Sequence, residues 1–140
     1  MTALAQPAIV IREAVATDAN LIYSSWLRSY WNSTAIGLGV EYQVYQAGQR
    51  ARIDRLLRTH GALVACSPEA PDTIMGWACI DGDHVAVHYA YTRQIYRRAG
   101  VARSLLVLDG ILPRYATHMT PAFSRGFPSV QYNPYLLEQP

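Results

Sequence analysis

A glycine flanked by arginines stands between a strand-like run and a helical run, and this feature constrains the fold most. The segment is Arg97-Arg98-Ala99-Gly100-Val101-Ala102, and Arg103 and two leucines follow. Glycine lets the backbone approach a ligand without a Cβ in the way, and the helix start that follows has free N–H groups. Because arginines and helix N-termini both attract negative charge, the segment predicts an anion-binding site.

Composition points to one globular domain over residues 1–140. The chain is 51% hydrophobic and 16% charged, which is typical of a folded protein with a core. Its net charge of +2 argues against a nucleic-acid partner. The residues that such a partner would contact are Arg93, Arg97, Arg98, Arg103 and Arg114.

The cysteines and the apolar runs argue against further classes. Cys66 and Cys79 lie inside apolar runs, which indicates buried reduced thiols rather than a disulfide or a metal site. No apolar run approaches the roughly 20 residues of a membrane helix. The N-terminus has no positive head before its short apolar segment, so it does not predict a signal peptide. We therefore expect a cytoplasmic protein with no membrane partner and no metal.

The first half of the chain predicts one strand and two helices. The strand covers Ile9–Glu13, and Thr17 or Asp18 caps the first helix. Its inward face is formed by Ala19, Ile22, Tyr23, Trp26, Leu27 and Tyr30. A loop over 31–39 follows, and the second helix runs from about Glu41 to Thr59, with Gly61 at its end. Its inward residues are Tyr42, Tyr45, Ile53, Leu56 and Leu57.

The second half predicts strands around one helix. Three strands cover Ala62–Cys66, Thr73–Ile80 and His84–Thr92, with a tight hairpin at Asp81-Gly82-Asp83. The remaining elements are a helix over Val101–Leu112, a strand over Ala116–Thr120, and an irregular tail over 121–140 with a short strand near Val130–Tyr132. The order β-α-α-β-β-β-α-β predicts an α+β fold.

The arginine-glycine segment in this setting resembles the GCN5-related N-acetyltransferase (GNAT) family. Residues Arg97–Ala102 match the family signature Q/R-x-x-G-x-G/A, between a hydrophobic strand and a leucine-rich helix. The likeness extends from about Ile9 to Thr120. The patterns G-x-G-x-x-G in a βαβ unit and G-x-x-x-x-G-K-[ST] are absent, which argues against dinucleotide and P-loop sites. The resemblance implies a central mixed, mostly antiparallel sheet flanked by helices.

The resemblance also implies acetyl-CoA as the anionic ligand. The loop and helix start would bind its pyrophosphate, the arginines would supply countercharge, and the preceding strand would present its backbone to the pantetheine arm. The implied cofactor-binding residues are Tyr91, Thr92, Arg97, Arg98, Ala99, Gly100, Val101, Ala102 and Arg103.

The chain departs from the family pattern at three places. Thr92 stands where the family usually has valine, and Gln94 where it often has proline. After Thr120 only 20 residues remain, whereas the family usually continues with a helix and two strands. A shortened end would leave the edge of the strand over Ala116–Thr120 and the nearby aromatic residues uncovered, so we expect a homodimer.

Histidines replace the acidic base of the family. The resemblance implies a base on the strand before the loop, often glutamate, but His84–Thr92 has no acidic residue. By the period of two, His84 and His88 share a face with Ala90 and Thr92. A histidine titrates near neutral pH, so His88 is the first candidate base, followed by His84 and by His118 on the next strand. A structural role for each histidine remains the alternative.

The other site candidates are aromatic and acidic. Tyr132 and Tyr135 are the candidate general acids, with Tyr115 behind them; packing with the hydroxyl at the surface is the alternative. By the resemblance, the first helix–helix loop binds the acceptor, which points to Trp31, Glu41 and Tyr42.

Two functions therefore follow from the sequence. The first is an acetyl-CoA-dependent N-acetyltransferase acting on a primary amine of a small molecule or a protein. The second is a catalytically weak or inactive module of the same fold that binds acyl-CoA or a partner. The missing glutamate and the short tail favour the second.

Overall fold

A six-stranded sheet with helices against it forms the centre of the molecule. A computed structural model describes residues 8–34 and 39–138. The strands are β1 (Val10–Glu13), β2 (Leu63–Ser67), β3 (Ala70–Ile80), β4 (Ala86–Thr92), β5 (Tyr115–Ala116) and β6 (Gln131–Tyr132). The helices are α1 (Ala19–Ser33), α2 (Tyr42–His60), α3 (Val101–Leu106) and α4 (Pro121–Gly126). Short 3-10 turns cover Ala16–Asp18, Gln94–Tyr96 and Pro134–Glu138.

The strands lie in the sheet in chain order. Pairing is antiparallel from β1 to β4, and parallel between β4 and β5 and between β5 and β6. The sheet is therefore mixed and mostly antiparallel. Up to β5 the element order is β-α-α-β-β-β-α-β, so the α+β prediction is confirmed.

Alternating side chains of the strands build a core on each face of the sheet. Val64 and Trp77 point towards α1 and α2. Ala65 and Ala78 point towards α3 and, with Val101, belong to the second core, which we call the α3 core. The first core is centred on Trp26, which stacks on Tyr89 with ring centroids 5.2 Å apart. Both cysteines are buried and unpaired, as predicted.

A bulge in β4 changes which face its residues share. Cys79 is in register with Tyr89 and Ile80 with Val87, so His88 is an extra residue on β4. After the bulge, Ala90 packs in the α3 core, whereas His88 stacks on His60 at the end of α2. The prediction that His88 shares a face with Ala90 and Thr92 is therefore wrong.

The helix α3 is shorter than its apolar pattern predicts. It ends at Leu106, and Leu108 and Ile111 then bond to each other across a tight turn. Asp109 and Gly110 have φ of 51° and 78°, the left-handed pair that an Asp-Gly turn requires. The helix over Val101–Leu112 is wrong because this turn signal outweighs the leucine periodicity.

The tail contains a helix, a strand and a 3-10 turn over residues 121–138, whereas the prediction was an irregular segment with one short strand. Thr120 caps α4 by accepting a hydrogen bond from the N–H of Phe123 (3.2 Å), and β6 then pairs with β5. The strand near Val130–Tyr132 is confirmed, while β5 itself is only two residues long. Because β6 covers the edge of β5, the reason given for a homodimer is wrong; the dimer itself stays a prediction.

The ends of α1 and α2 also differ in detail. Helix α1 continues through Ser33 into the predicted loop, and residues 35–38 of that loop lie outside the described residues. Tyr42 was expected inward but is 47% exposed. Asp18 is the N-cap residue of α1, as predicted, but its side chain accepts hydrogen bonds from Arg12 and from the N–H of Val15 and makes none to the N–H groups of the helix. Gly61 ends α2 with φ of 69°, as predicted.

Candidate active site

The strands β4 and β5 separate after a short contact. They pair only at Ala86 with Tyr115 and at Val87 with Ala116, and the N–H of Thr117 makes a last bond to the carbonyl of Val87 (3.1 Å). Beyond this point β4 continues to Thr92 with β3 on one side and no described strand on the other. We call this open space the β4–β5 gap.

The backbone of β4 presents alternate residues to the gap. The N–H of Arg93 donates to the carbonyl of Met75 (2.9 Å), so Arg93 faces β3. Tyr91 is in register with Trp77 and also faces β3, because backbone groups alternate along a strand. The backbone groups of Ala90 and Thr92 therefore face the gap. Of Tyr91 and Thr92, the two β4 residues that the resemblance assigns to the cofactor, Thr92 is therefore the one whose N–H points into the gap.

The arginine-glycine loop follows directly at the open end of β4. The 3-10 turn Gln94–Tyr96 leads into it, and α3 begins at Val101. Arg98 and Gly100 have φ of 66° and 81°, so the backbone twice enters the left-handed region. Gly100 is exposed, and Val101 anchors the loop in the α3 core. Ala99 packs against the same core and Ala102 is half-buried.

The arginines of this loop are exposed and available. Arg97, Arg98 and Arg103 form no ion pair within the described part of the chain. Arg97 Nε donates to the carbonyl of Thr92 (3.4 Å), which keeps that side chain beside the end of β4. Arg93 instead donates to the carbonyl of Ile74 and lies over the ring of Tyr96. Three cationic side chains are thus left for an anion.

A glycine of β3 lets α3 approach the sheet. A Cβ on Gly76 would lie 2.5 Å from the carbonyl oxygen of Tyr91 and 2.9 Å from Cγ1 of Val101. Any side chain there would push away the first residue of α3 or the β4 backbone. Sequence reasoning did not single out this residue, although a glycine inside a strand pattern is a signal of close backbone approach.

A row of buried polar side chains runs from α2 to the start of the gap. Gln49 Nε2 lies 2.7 Å from His118 Nε2, and His118 Nδ1 lies 3.2 Å from Thr117 Oγ1. Thr117 Oγ1 in turn lies 3.0 Å from His88 Nδ1. All four side chains are buried. Within residues 8–34 and 39–138, no group of His, Cys, Asp and Glu is arranged to hold a metal ion.

His88 ends this row beside the gap. Its ring stacks on His60 with centroids 4.8 Å apart, and its Nε2 atom is buried without a hydrogen-bond partner. Burial, together with the neighbouring His60, lowers the pKa of His88 to about 4. The ring is therefore neutral at pH 7, and only Nε2 remains for a ligand.

His118 is enclosed. Gln49 and Thr117 occupy its two nitrogens, and the rings of Trp26 and Tyr30 lie edge-on to it. Burial, with Arg52 and His88 nearby, lowers the pKa of His118 to about 3. A ring with both nitrogens engaged has no atom left for a substrate.

The remaining acid–base candidates are spread over the surface. His84 lies before β4, at the end away from the arginines, with φ of 59° and Nε2 3.0 Å from the carbonyl of Ile111. Tyr132 is exposed on β6 beside Ala116, and together with burial it raises the pKa of Tyr30. Tyr135 is 74% exposed in the last 3-10 turn. Of these three, Tyr132 is placed nearest to the buried row.

The acceptor candidates form an aromatic group at the facing ends of α1 and α2. The rings of Trp31 and Tyr42 lie edge to face with centroids 5.1 Å apart, and Glu41 precedes the first turn of α2. Thr34 Oγ1 donates to the carbonyl of Met119 (3.2 Å), which ties this end of α1 to the segment after β5. The group therefore lies on the β5 side of the gap.

A separate cleft of about 210 Å³ lies behind the row. It is lined by Glu13, Ala14, His60, Gly61, Ala62, Leu63 and Ile80. The arginine-glycine loop contributes nothing to it.

Sequence reasoning missed Gln49, Thr117 and His60. Gln49 stands four residues from both Tyr45 and Ile53, so a polar residue on the inward face of α2 was the available signal. Thr117 and His60 carry no such signal, because only the fold brings them to His88.

The fold has relatives among solved structures, although the sequence matches no family model and no curated protein. Among solved structures, the chain is similar to the GCN5-related N-acetyltransferase "Aminotransferase, Class-II" from Rhodopseudomonas palustris, at 17% identity and a TM-score of 0.49. A possible acetyltransferase from Clostridium difficile 630 is similar at 21% identity and a TM-score of 0.48. The protein yncA from Salmonella typhimurium, solved with its cofactor acetyl-CoA, is similar at 19% identity and a TM-score of 0.41.

These similarities cover part of each molecule. They extend over 75%, 69% and 70% of this chain, which in turn spans 64%, 65% and 58% of those chains. None of the helices in the described ranges combines the length and hydropathy needed to cross a membrane.

Proposed function

We propose that this protein is an acetyl-CoA-dependent N-acetyltransferase that moves an acetyl group onto a primary amine. The main support is the position of the Arg97–Ala102 loop directly after β4, at the end where β4 has no neighbouring strand. A cationic loop and free backbone groups thus border one gap. An acyl-CoA, with an anionic pyrophosphate and a thioester on one extended molecule, needs both features side by side.

The residues present fit this ligand. Gly100 leaves the loop backbone open, and Arg97, Arg98 and Arg103 supply countercharge for phosphate groups. The N–H of Thr92 faces the gap, as argued from its register. His88 follows the last residue of β4 that pairs with β5, and its Nε2 atom is buried without a hydrogen-bond partner among the described residues.

Each side chain then has a separate task. When bound, acetyl-CoA would supply a thioester: an ammonium acceptor would first release one proton to solvent, the C–N bond would form as the C–S bond breaks, and the second proton of the amine would leave with CoA as the thiol. The N–H of Thr92 would donate to the thioester oxygen, and Tyr132, with Tyr135 as the second choice, would protonate the sulfur and regain the proton from the amine. Trp31, Tyr42 and Glu41 attract the ammonium form of the acceptor.

One set of observations favours a second function, a module that binds acyl-CoA without turnover. His118 has both nitrogens engaged, and His88 is buried with a pKa of about 4. A proton acceptor that weak removes few protons from an ammonium group at neutral pH. Binding through the loop does not depend on either histidine.

Two measurements on the full chain separate the functions. Retention on CoA-agarose that free CoA competes away tests binding, and release of free thiol from acetyl-CoA with a panel of amines tests turnover. Retention with thiol release supports the transferase, and retention without thiol release supports the module. If the protein is not retained, both functions are wrong.

A further inference from the structure

The buried row from Gln49 to His88 has a single consistent direction of hydrogen bonding. Thr117 has one hydroxyl proton, yet its Oγ1 lies within hydrogen-bond distance of Nδ1 of both His88 and His118. Oγ1 could accept from both rings, but its own proton has no other acceptor among the described residues, so with both rings neutral one Nδ1 donates to Oγ1 and the other accepts the hydroxyl proton. The tautomers of the two histidines are thereby opposite and coupled.

Gln49 determines which of the two histidines carries its proton on Nδ1. Its amide nitrogen, a donor only, lies 2.7 Å from Nε2 of His118, so this Nε2 accepts. The proton of His118 is then on Nδ1 and is donated to Thr117. The hydroxyl of Thr117 in turn donates to Nδ1 of His88. It follows that the proton of His88 is on Nε2.

We propose that Gln49, His118 and Thr117 are positioning residues that hold His88 as the Nε2–H tautomer, so that His88 is a hydrogen-bond donor to a carbonyl oxygen in the β4–β5 gap. The identity of that oxygen as the acyl carbonyl rests on the proposed function; the direction of the row does not. This role differs from that of a base, because the ring gives a hydrogen bond and neither loses nor gains a proton.

The surroundings of His88 suit a neutral donor. Its Nε2–H is buried without a hydrogen-bond partner among the described residues, and a buried donor left unsatisfied destabilises the free protein. An entering carbonyl oxygen removes this penalty. A neutral imidazole N–H can polarise a carbonyl, and a fixed donor needs no reorganisation when charge develops on the oxygen. The proton of the amine then leaves by a route other than His88.

The tautomers can be measured directly in the free protein. Long-range ¹H–¹⁵N spectra at pH 7 distinguish Nδ1–H, Nε2–H and doubly protonated histidines. We expect His88 to be Nε2–H and His118 to be Nδ1–H. The opposite assignment, or a mixture of tautomers at His88, overturns the proposal.

Variants test whether the row causes the assignment. Thr117→Ser keeps the hydroxyl and should keep the Nε2–H form of His88, whereas Thr117→Val should give a mixture. Gln49→Leu removes the first donor from the far end of the row and should also weaken the bias. If His88 remains fully Nε2–H in either folded disrupting variant, the row does not position it.

A ligand titration tests the role of the donor. Acetyl-CoA should shift the His88 Nε2 resonance and CoA without the acyl group should not, because only the former brings a carbonyl oxygen to that position. Equal shifts from both ligands, or none on saturation, would show that the donor does not contact the acyl carbonyl. If calorimetry finds no binding of either ligand, the proposed transferase is wrong, while the spectra of the free protein still decide the positioning role.

Discussion

His60 and His88 stack with ring centroids 4.8 Å apart and planes 24° from parallel. His60 lines the separate cleft at the end of α2, whereas the side chain of His88 is buried and does not line that cleft. The neighbouring His60 disfavours a proton on His88 and so lowers its pKa, and no carboxylate hydrogen-bonds to the His88 ring in the described residues. The stack therefore helps to keep His88 neutral, and this has a measurable consequence for stability.

Acid should destabilise the protein well above the range in which carboxylates titrate. Histidine in the unfolded chain has a pKa near 6.5, but that of His88 is about 4 in the fold. Between these values the unfolded state binds more protons, so the free energy of unfolding falls as pH drops from about 6.5 to 4, by about 3 kcal/mol for His88. Asp81 raises the pKa of His88 and so opposes the effects of burial and of His60. Arg52 lowers the pKa of His118, in the same direction as burial.

The measurement is urea unfolding at several pH values. His88→Gln should reduce the slope between pH 6.5 and 4, with the buried His118 contributing the rest, and His84→Gln, at a half-buried position outside the buried row, is the control for loss of a histidine. An equal slope in wild type and His88→Gln would contradict the burial of a neutral His88.

Replacing Gly76 should destabilise the fold at the start of α3. In Gly76→Ala the new Cβ would lie 2.5 Å from a backbone oxygen of Tyr91, so β4 or Val101 must move. We expect a loss of about 1–3 kcal/mol in the free energy of unfolding. Gly82→Ala is the matched control, because nothing lies within 4 Å of its Cβ. Two variants of equal stability would show that α3 does not depend on this close approach.

Replacing Gly100 should abolish acetyl-CoA binding while the fold persists. Gly100→Val places a β-branched side chain at φ of 81° on the exposed loop and removes the approach of the backbone to the phosphates. Each lost hydrogen bond to a charged group costs about 1.5–3 kcal/mol, and several are lost together. Gly110→Val carries similar strain, at φ of 78°, in the turn beyond α3. Calorimetry should find weak binding only in the first variant; unchanged affinity there would contradict the cofactor loop.

Two variants of His88 distinguish a donor from a base. His88→Leu removes the donor and should lower kcat/KM by roughly 10²–10³, with the affinity for acetyl-CoA preserved. His88→Gln retains an N–H donor and should recover part of this loss. If His88 is instead the base, both variants lose activity equally and the acidic limb of the pH profile disappears in both. Full activity in both variants would leave His88 with a structural role alone.

Local patterns in the sequence were sufficient to predict most of the fold. Apolar periodicity gave α1, α2 and the three long strands to within a few residues, because burial on one face imposes that spacing wherever the element lies. The arginine-glycine loop was also found, since its glycine, its charges and the helix after it are neighbours in the chain. The Asp109-Gly110 turn also depends only on neighbouring residues, but the leucine periodicity over the same segment favoured a longer helix.

Only the tertiary structure decided how the candidate site is arranged. The bulge at His88 depends on the register between β3 and β4, and it turned one predicted face of β4 into two. The burial and the low pKa of His88 come from groups on α2 and after β5. Gln49 and His118 are 69 residues apart in the chain. The sequence by itself therefore determined which elements and which cationic loop this protein has, because those follow from neighbouring residues. Which histidine is neutral, and which of its nitrogens is left for a ligand, was decided by distant side chains that meet only in the folded molecule.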